Sequence, residues 1–293
     1  MHLMKSPSPD SIDLAVLMTC HNRRERTTAC LRSVSAQASK MPLAVQIYLV
    51  DDGSSDGTRE AAIDLVPNIV VIDGDGTLFW SGGMRRAFSR ATADRHDFYL
   101  WLNDDVVLYP NALMLLLESF RAVSREGIRP AIVVGAFRDP LTGRHTYGGL
   151  NRQGLLRPLR FVPMPPYGRP KPCDTFNGNC VLIPDDVARR IGNISAPYRH
   201  ALGDLDYGLR AGKLGIKTAV ASDYVGECEA RPVPRSTVRR VLEKGRVGYR
   251  YSPVEWATFA SRHGGPFWVR YLVTVFLRDL YTRAVDRLLN HEG

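Results

Sequence analysis

The sequence predicts an α/β protein with a mixed, mostly parallel central sheet flanked by helices. Three observations carry that expectation. Short apolar runs of strand length alternate with segments whose apolar residues recur at helical spacing, the order expected of strand-helix-strand units. Two of the runs stop abruptly at paired carboxylates, Val50-Asp51-Asp52 and Leu102-Asn103-Asp104-Asp105. Open α/β sheets bind ligands outside the carboxyl ends of their strands, so acidic side chains at two such ends mark one rim as the functional edge.

In chain order, residues 12–18 read as a first strand, the Thr19-Cys20-His21-Asn22-Arg23 stretch as a loop, and residues 24–36 as a helix with Thr27, Leu31 and Val34 on one face. Residues 43–50 are a second strand. In the loop that follows, Gly53 and Gly57 permit tight turns, and Ser55 or Asp56 is placed to cap a helix running to Val66. Residues 68–72 form a third strand, then comes a glycine-bearing segment, Gly74 to Arg85. Residues 98–102 are short, aromatic and bounded by polar residues, which suits a buried strand. Residues 112–123 read as a packed helix whose Met and Leu stripe is core, and residues 131–137 as another strand. From 138 to 171 the chain is rich in Pro, Gly and Arg, the composition of a long irregular loop covering a site. A helix around Asp204 and a last strand over 216–221 complete the pattern.

Composition narrows the class. A chain of 293 residues, 44% hydrophobic and 24% charged, can bury a large core as one domain with an appendage. The expected division is a catalytic domain over 1–230, with a nucleotide half over about 12–107 and an acceptor half over about 131–230, and a basic, aromatic helical region over 231–293. Five cysteines without a Cys-x-x-Cys spacing indicate neither a disulfide framework nor a zinc site, which fits a cytoplasmic protein. Residues 1–11 lack an apolar core of signal-peptide length, and no apolar run reaches 18 residues. The net charge is +9, and residues 231–293 hold twelve Arg and Lys against five Asp and Glu. Such a region implies an anionic partner. Its Phe267-Trp268-Val269-Arg270-Tyr271 stretch suits a segment lying in the interface of an anionic membrane. The other reading is a helix packed on the catalytic domain or on a second subunit of a homodimer.

The acidic strand ends carry the chemistry. Asp104 and Asp105, with Asn103 beside them, are placed to grip a hard divalent cation, Mg2+ or Mn2+. Magnesium usually takes one or two protein carboxylates and fills its remaining positions with phosphate oxygens and water, so the implied ligand is a metal-bound diphosphate. The plainer reading is a solvated acidic turn. Asp51 and Asp52 are placed to accept hydrogen bonds from a base or from ribose hydroxyls, or else serve turn and capping chemistry. Gly82 and Gly83, read as lying before a helix, would let a phosphate approach backbone N–H groups, with Trp80 and Arg85 alongside. Their alternative is a glycine turn with Phe79 and Trp80 in the core. No Gly-x-Gly-x-x-Gly follows the first strand and no Walker sequence occurs, which sets aside a dinucleotide fold and a P-loop. In Gly203-Asp204-Leu205-Asp206, Asp206 stands four residues from Arg210 and can pair with it, whereas Asp204 projects elsewhere. Asp204 can otherwise be a helix-start carboxylate favoured by the dipole. His96, His145 and His263 read as surface or packing residues.

Together, Thr19 to Arg23, Val50 to Thr58 and Leu102 to Asp105 resemble the family 2 glycosyltransferases with the GT-A fold, over about residues 12–228. Gly74 to Arg85 and Asn177 to Pro184 resemble bacterial rhamnosyltransferases of O-antigen and other surface polysaccharide synthesis, lipopolysaccharide included. The resemblance implies a nucleotide-sugar donor, a divalent metal and inversion at the anomeric carbon. It favours dTDP-rhamnose, with a UDP-sugar second, and a glycan or lipid-linked acceptor at the inner face of the cytoplasmic membrane. Carried over by position, Asp105 is the metal ligand and Asp104 assists through the sugar or the metal's water shell. Asp52 with Asp51, Thr19, His21, Asn22 and Arg23 would hold the nucleoside. Trp80 and the loop from Gly149 to Cys173 would shape the sugar and acceptor sites. Asp204 matches the base of the family's Glu-Asp-x-Asp motif, although Gly203 replaces the Glu. Many relatives carry a metal-binding His after the last strand. None of Val225 to Ala230 is His, which leaves water, Glu227 or Cys228. The rivals are a nucleotidyltransferase on a similar fold and a basic nucleic-acid-binding or scaffold protein. Nucleic acid is not the expected partner, because acidic strand ends repel phosphates.

Overall fold

The computed structural model describes residues 11–127, 131–154, 157–230, 253–274 and 277. Strand β1 (Ile12–Cys20) leads into helix α1 (Arg24–Ala38), followed by β2 (Leu43–Asp51), α2 (Thr58–Leu65), β3 (Val70–Asp73), α3 (Phe79–Asp94) and β4 (Phe98–Leu102). These four strands are parallel neighbours in the order β4-β1-β2-β3. Side chains alternate between faces with period two. Leu14, Val16 and Met18 of β1 join Leu31 and Val34 of α1 in one core. Ala15 and Leu17 join Met84 and Phe88 of α3 in the other, with Trp101 of β4. Each such large apolar side chain contributes about 1.5–3 kcal/mol on burial, so a sheet covered on both faces tolerates polar residues only at its rims.

The second half runs through β5 (Val107–Leu108), α4 (Ala112–Arg125), β6 (Ala131–Arg138), β7 (His145–Tyr147), β8 (Gly149–Arg152), β9 (Phe161–Met164), β10 (Lys171–Cys173), β11 (Thr175–Phe176), β12 (Cys180–Pro184), α5 (Asp185–Ile191), α6 (Gly203–Lys213) and β13 (Lys217–Glu227). The main sheet has the order β10-β13-β6-β12-β4-β1-β2-β3, with β5 on β13 and β7 on β6. Strand β12 is antiparallel between β4 and β6, whereas β6 and β13 are parallel. The sheet is therefore mixed and mostly parallel, as the alternation of elements predicts.

The expectation of an irregular loop over 138–171 is corrected. This stretch supplies β7, β8 and β9 and begins β10, and β8 and β9 form a separate three-stranded sheet with β11. The prolines that argue against strands occupy edge strands, Pro163 in β9 and Pro172 in β10, where a missing N–H costs no ladder hydrogen bond on the outer side.

Helix α7 (Pro253–His263) packs back on the domain, Phe259 joining Tyr198, Leu202 and Leu209 in a small core. Among the described residues no helix is long and apolar enough to cross a membrane. The arginine run from Arg231 to Arg250 and most of the chain beyond 274 lie outside the described residues.

Candidate active site

The ends of β1, β2 and β4 open on one side of the sheet. Directly beyond β4, the Asp104 carboxylate is buried, and Arg23 Nη1 donates to Asp104 Oδ1 and to Asp105 Oδ2, each at 3.0 Å. The Thr27 hydroxyl donates to Asp104 Oδ2 at 3.4 Å. Burial pushes the Asp104 carboxyl up to about 6; Arg23 opposes that rise and the charge of Asp105 adds to it. One oxygen of the pair stands apart: Asp105 Oδ1 is buried without a hydrogen-bond partner among the described residues.

At the end of β2, Asp52 does the work of a cap. Its Oδ1 accepts the N–H groups of Gly76 at 2.9 Å and Leu78 at 3.3 Å, and its Oδ2 accepts that of Phe79 at 3.0 Å. Gly74 is required beside it, because a Cβ there would lie 2.5 Å from Asp52 Oδ1. The carboxylate thus fixes the 74–79 loop and satisfies orphan donors where α3 begins. Asp51 is also buried and accepts the Ser54 N–H at 3.0 Å. His21 Nδ1 donates to the Asp52 carbonyl at 2.6 Å, which leaves Nε2 to accept from Asn22 Nδ2 at 3.2 Å. Asn22, at φ 49°, in turn receives the Ser55 N–H at 2.8 Å.

Trp80 Nε1 donates to Asn103 Oδ1 at 2.6 Å, tying α3 to the acidic strand end. Its ring rests on Gly178, whose missing Cβ would lie 2.3 Å from Cζ2. Asp204 enters from the first turn of α6: Oδ2 accepts the Gly178 N–H at 2.9 Å and Oδ1 the Leu205 N–H at 2.8 Å. Its neighbour Asp206 points into the protein interior and is fully buried, paired with Arg210 at 2.8 Å.

A cleft of about 400 Å³ joins these walls. Nine of the residues singled out in the sequence line it: Thr19, His21, Arg23, Asp52, Trp80, Asn103, Asp104, Asp105 and Asp204. Asn22, Asp51, Gly82, Gly83 and Arg85 do not. The two glycines lie within α3, not before it, and the N–H of Gly82 bonds the Arg199 carbonyl at 3.2 Å. Gly83 packs against Thr19, where a Cβ would come within 2.2 Å of Oγ1, and Arg85 donates to the Tyr198 carbonyl at 3.1 Å. The helix starts at Phe79, before both glycines, where Asp52 accepts its first N–H. Sequence reasoning assigned no role to Tyr147, His200 or Leu202 and offered Phe79 only as core filling, yet all four line the cleft. Phe79 and Leu202 hold positive φ angles of 52° and 68°, conformations that cost a non-glycine residue on the order of 1 kcal/mol or more. Only a local signal, an adjacent Phe-Trp pair in a glycine-flanked loop, hinted at the first. Cys20 lines the cleft too, but burial and the nearby Asp51 push its thiol well above its ordinary value, which makes it a poor nucleophile.

The donor set fits a hard divalent cation. Among the described residues no three His, Cys, Asp or Glu side chains gather as a cage. An unpartnered carboxylate oxygen on Asp105 beside a second carboxylate matches an ion that takes one or two protein ligands and completes its shell from phosphate and water. Glu227 and Cys228 line an adjoining hollow with Asp105, and Glu227 Oε1 is taken by the Tyr109 hydroxyl at 3.0 Å.

A mixed, mostly parallel sheet flanked by helices, with acidic strand ends around one cleft, is the architecture of the GT-A fold. Residues 15–166 match the family model "Glycosyl transferase family 2", and the chain belongs to that family. The N-acetylglucosaminyl-diphospho-decaprenol L-rhamnosyltransferase of Mycobacterium tuberculosis is 24% identical over 251 residues, which cover 75% of this chain and 76% of that protein. Among solved structures, TarS 1-349 of S. aureus aligns with a TM-score of 0.55 at 13% identity over 85% of this chain and 70% of that one. The mannosyltransferase PcManGT of Pyrobaculum calidifontis, in complex with GDP-Man and Mn2+, aligns with a TM-score of 0.54 at 14% identity over 98% of this chain and 78% of that one. At these identities the two structures speak for the fold.

Proposed function

We propose that this glycosyltransferase is an inverting, divalent-metal-dependent enzyme that moves rhamnose from dTDP-rhamnose to a hydroxyl of a lipid-linked or growing bacterial surface glycan. The observation that carries the reading is the convergence of two acidic groups on one cleft: Asp105, with its unpartnered oxygen, and Asp204, held by two backbone N–H groups. The rhamnosyl donor and lipid-linked acceptor are supported by the likeness to the mycobacterial rhamnosyltransferase. A UDP-hexose donor is the alternative.

In this mechanism Asp105, assisted by Asp104, would hold the metal, and Mg2+ or Mn2+ would supply charge neutralisation for a leaving diphosphate when bound. Arg23 holds the two carboxylates together and offsets their mutual repulsion before the donor arrives. The capped 74–79 loop, with Thr19 and His21, frames the nucleoside. Asp204 takes the acceptor hydroxyl proton from the side opposite the leaving group, so the anomeric configuration inverts. Trp80 braces Asn103 against the sugar, and Phe79 and His200, whose rings lie 5.6 Å apart, form an aromatic edge for the acceptor.

The C-terminal region would bring the enzyme to an anionic membrane at its inner face. Val269, Val273 and Leu277 are exposed four residues apart, an apolar stripe with Arg270 next to it in sequence. A donor panel of dTDP-rhamnose and UDP-hexoses with Mg2+ or Mn2+, scored by thermal shift and then by hydrolysis, tests the function. Turnover of dTDP-rhamnose that requires the metal supports it, and pyrophosphate release from a nucleoside triphosphate supplied with a sugar 1-phosphate, with no turnover of these donors, would favour a nucleotidyltransferase. Liposome binding that survives deletion of residues 231–293 would remove the membrane role.

A further inference from the structure

The cleft wall that carries Asp204 is held from behind by the C-terminal helix. At one end of α7 the buried Glu255 accepts the backbone N–H of Arg199 at 2.7 Å through Oε1. At the other end His263 Nε2 donates to Asp206 Oδ1 at 2.9 Å, and Arg262 Nη1 reaches the same oxygen at 3.2 Å and Ser195 Oγ at 2.9 Å. Between them, Phe259 packs on Tyr198 and Leu202. The segment clamped in this way, 199–204, is the one that supplies His200, Leu202 and Asp204 to the cleft.

Two features show that the segment needs holding. Leu202 sits at φ 68° immediately before α6, a conformation that relaxes unless its surroundings enforce it. Arg199 links both sides of the cleft: its carbonyl takes the Ser81 and Gly82 N–H groups at 2.8 and 3.2 Å, and its Nη2 donates to the Thr77 carbonyl at 3.0 Å. A shift at Arg199 therefore moves the start of α3, with Phe79 and Trp80, as well as the wall. Asp206 is the anchor on the far side. Its oxygens receive Ser195 Oγ, Tyr198 OH and Arg210 Nε besides the two α7 donors, with no solvent exposure.

We propose that Glu255 and His263 are positioning residues of the transferase: α7 acts as a latch that holds the 199–204 wall, and with it Asp204, in its working geometry. The inference rests on the reading of Asp204 as the base only for its kinetic consequence. The latch itself is a statement about which backbone α7 immobilises.

The test uses the full chain and four variants: Glu255→Ala, Glu255→Gln, His263→Phe and His263→Gln. The Gln replacements keep an acceptor for Arg199 and a donor for Asp206, and Phe keeps the ring volume without the donor. Hydrogen exchange of amides 199–205 is measured beside binding of dTDP and UDP with Mn2+ by calorimetry, and transfer from dTDP-rhamnose to an N-acetylglucosaminyl-diphospho-lipid. The expected result for Glu255→Ala and His263→Phe is at least tenfold faster exchange over 199–205, a fall in kcat of about ten- to a hundredfold and nucleotide affinity within about twofold, with Gln restoring most of both. Unchanged exchange over 199–205 in folded Glu255→Ala and His263→Phe proteins overturns the latch. So does a kcat loss matched by equal loss of nucleotide binding, or one that Gln does not rescue. If the native protein turns over neither donor, the functional proposal fails, while the exchange comparison still decides whether α7 holds the wall.

Discussion

Replacing Gly178 by Ala should damage catalysis more than it damages the fold. A Cβ at 178 would lie 2.3 Å from Trp80 Cζ2, 2.4 Å from Cη2 and 3.3 Å from Asp204 Cβ, whereas ordinary contact begins at 3.4 Å. About 1 Å of movement is therefore required, and the indole is the group with room to give. Its displacement breaks the 2.6 Å bond to Asn103, and if the 178 backbone yields instead, its N–H leaves Asp204. Overpacking of this kind costs about 1–3 kcal/mol, which lowers Tm by roughly 2–4 °C per kcal/mol in a chain of this size. Misplacing a reacting group by about 1 Å costs on the order of a hundredfold in rate. The assay is kcat for rhamnosyl transfer beside a thermal melt, with Gly212→Ala as the control. Gly212 lies in α6, where an added methyl group would meet nothing within 4 Å, so its replacement should leave the rate unchanged. A Gly178→Ala protein with native rate and native Tm would show that Trp80 and Asp204 are not coupled through this contact.

Asp105→Asn should abolish the Mn2+-dependent part of dTDP or UDP binding in calorimetry; unchanged metal dependence would exclude Asp105 as the ligand. Asp204→Asn should keep nucleotide affinity and lose about 10²–10⁴ in transfer, the range expected for removing a general base, and full activity in that variant would remove Asp204 from the role. Asp206→Asn should destabilise by about 3–5 kcal/mol, because it leaves the buried His263 and the partly buried Arg210 donors without their charge, an effect read from denaturant melts. Burial opposes ionisation of Asp206, but the bond from His263 and the charge of Arg210 hold its carboxyl well below the usual range. Its contribution is therefore complete above the unfolded value near pH ~4 and is lost as pH falls through that value toward the folded one. The Asn variant should show a flatter acid limb than the native protein, and parallel limbs would refute the assignment.

The acidic strand ends were legible because two independent signals coincide there: a buried apolar run that must end at the sheet rim, and side chains too costly to carry further inward. Asp52, Asp104 and Asp105 accordingly reach the cleft from strand ends about fifty residues apart in the chain. What periodicity cannot express is the direction in which a rim carboxylate turns. Asp52 looks like Asp105 in sequence, each the second of an Asp pair after a strand, yet Asp52 commits its oxygens to three backbone N–H groups whereas Asp105 keeps one oxygen unpartnered. The difference lies in what folds against each carboxylate. The 74–76 turn closes on Asp52, with Gly74 packed beside it and Gly76 donating to it, while Asp105 is met by the Arg23 guanidinium through one oxygen only. The same limit hides α7: His263 reads as a packing residue because its partner, Asp206, lies 57 positions away, and only the tertiary fold makes that pair buried. Long-range satisfaction of buried charge, not local pattern, is thus what converts a plausible acidic rim into a site with one shaped wall. It also explains why positive φ angles at Asn22, Phe79 and Leu202 gather around the cleft, since strained backbone persists only where surrounding contacts over-determine it.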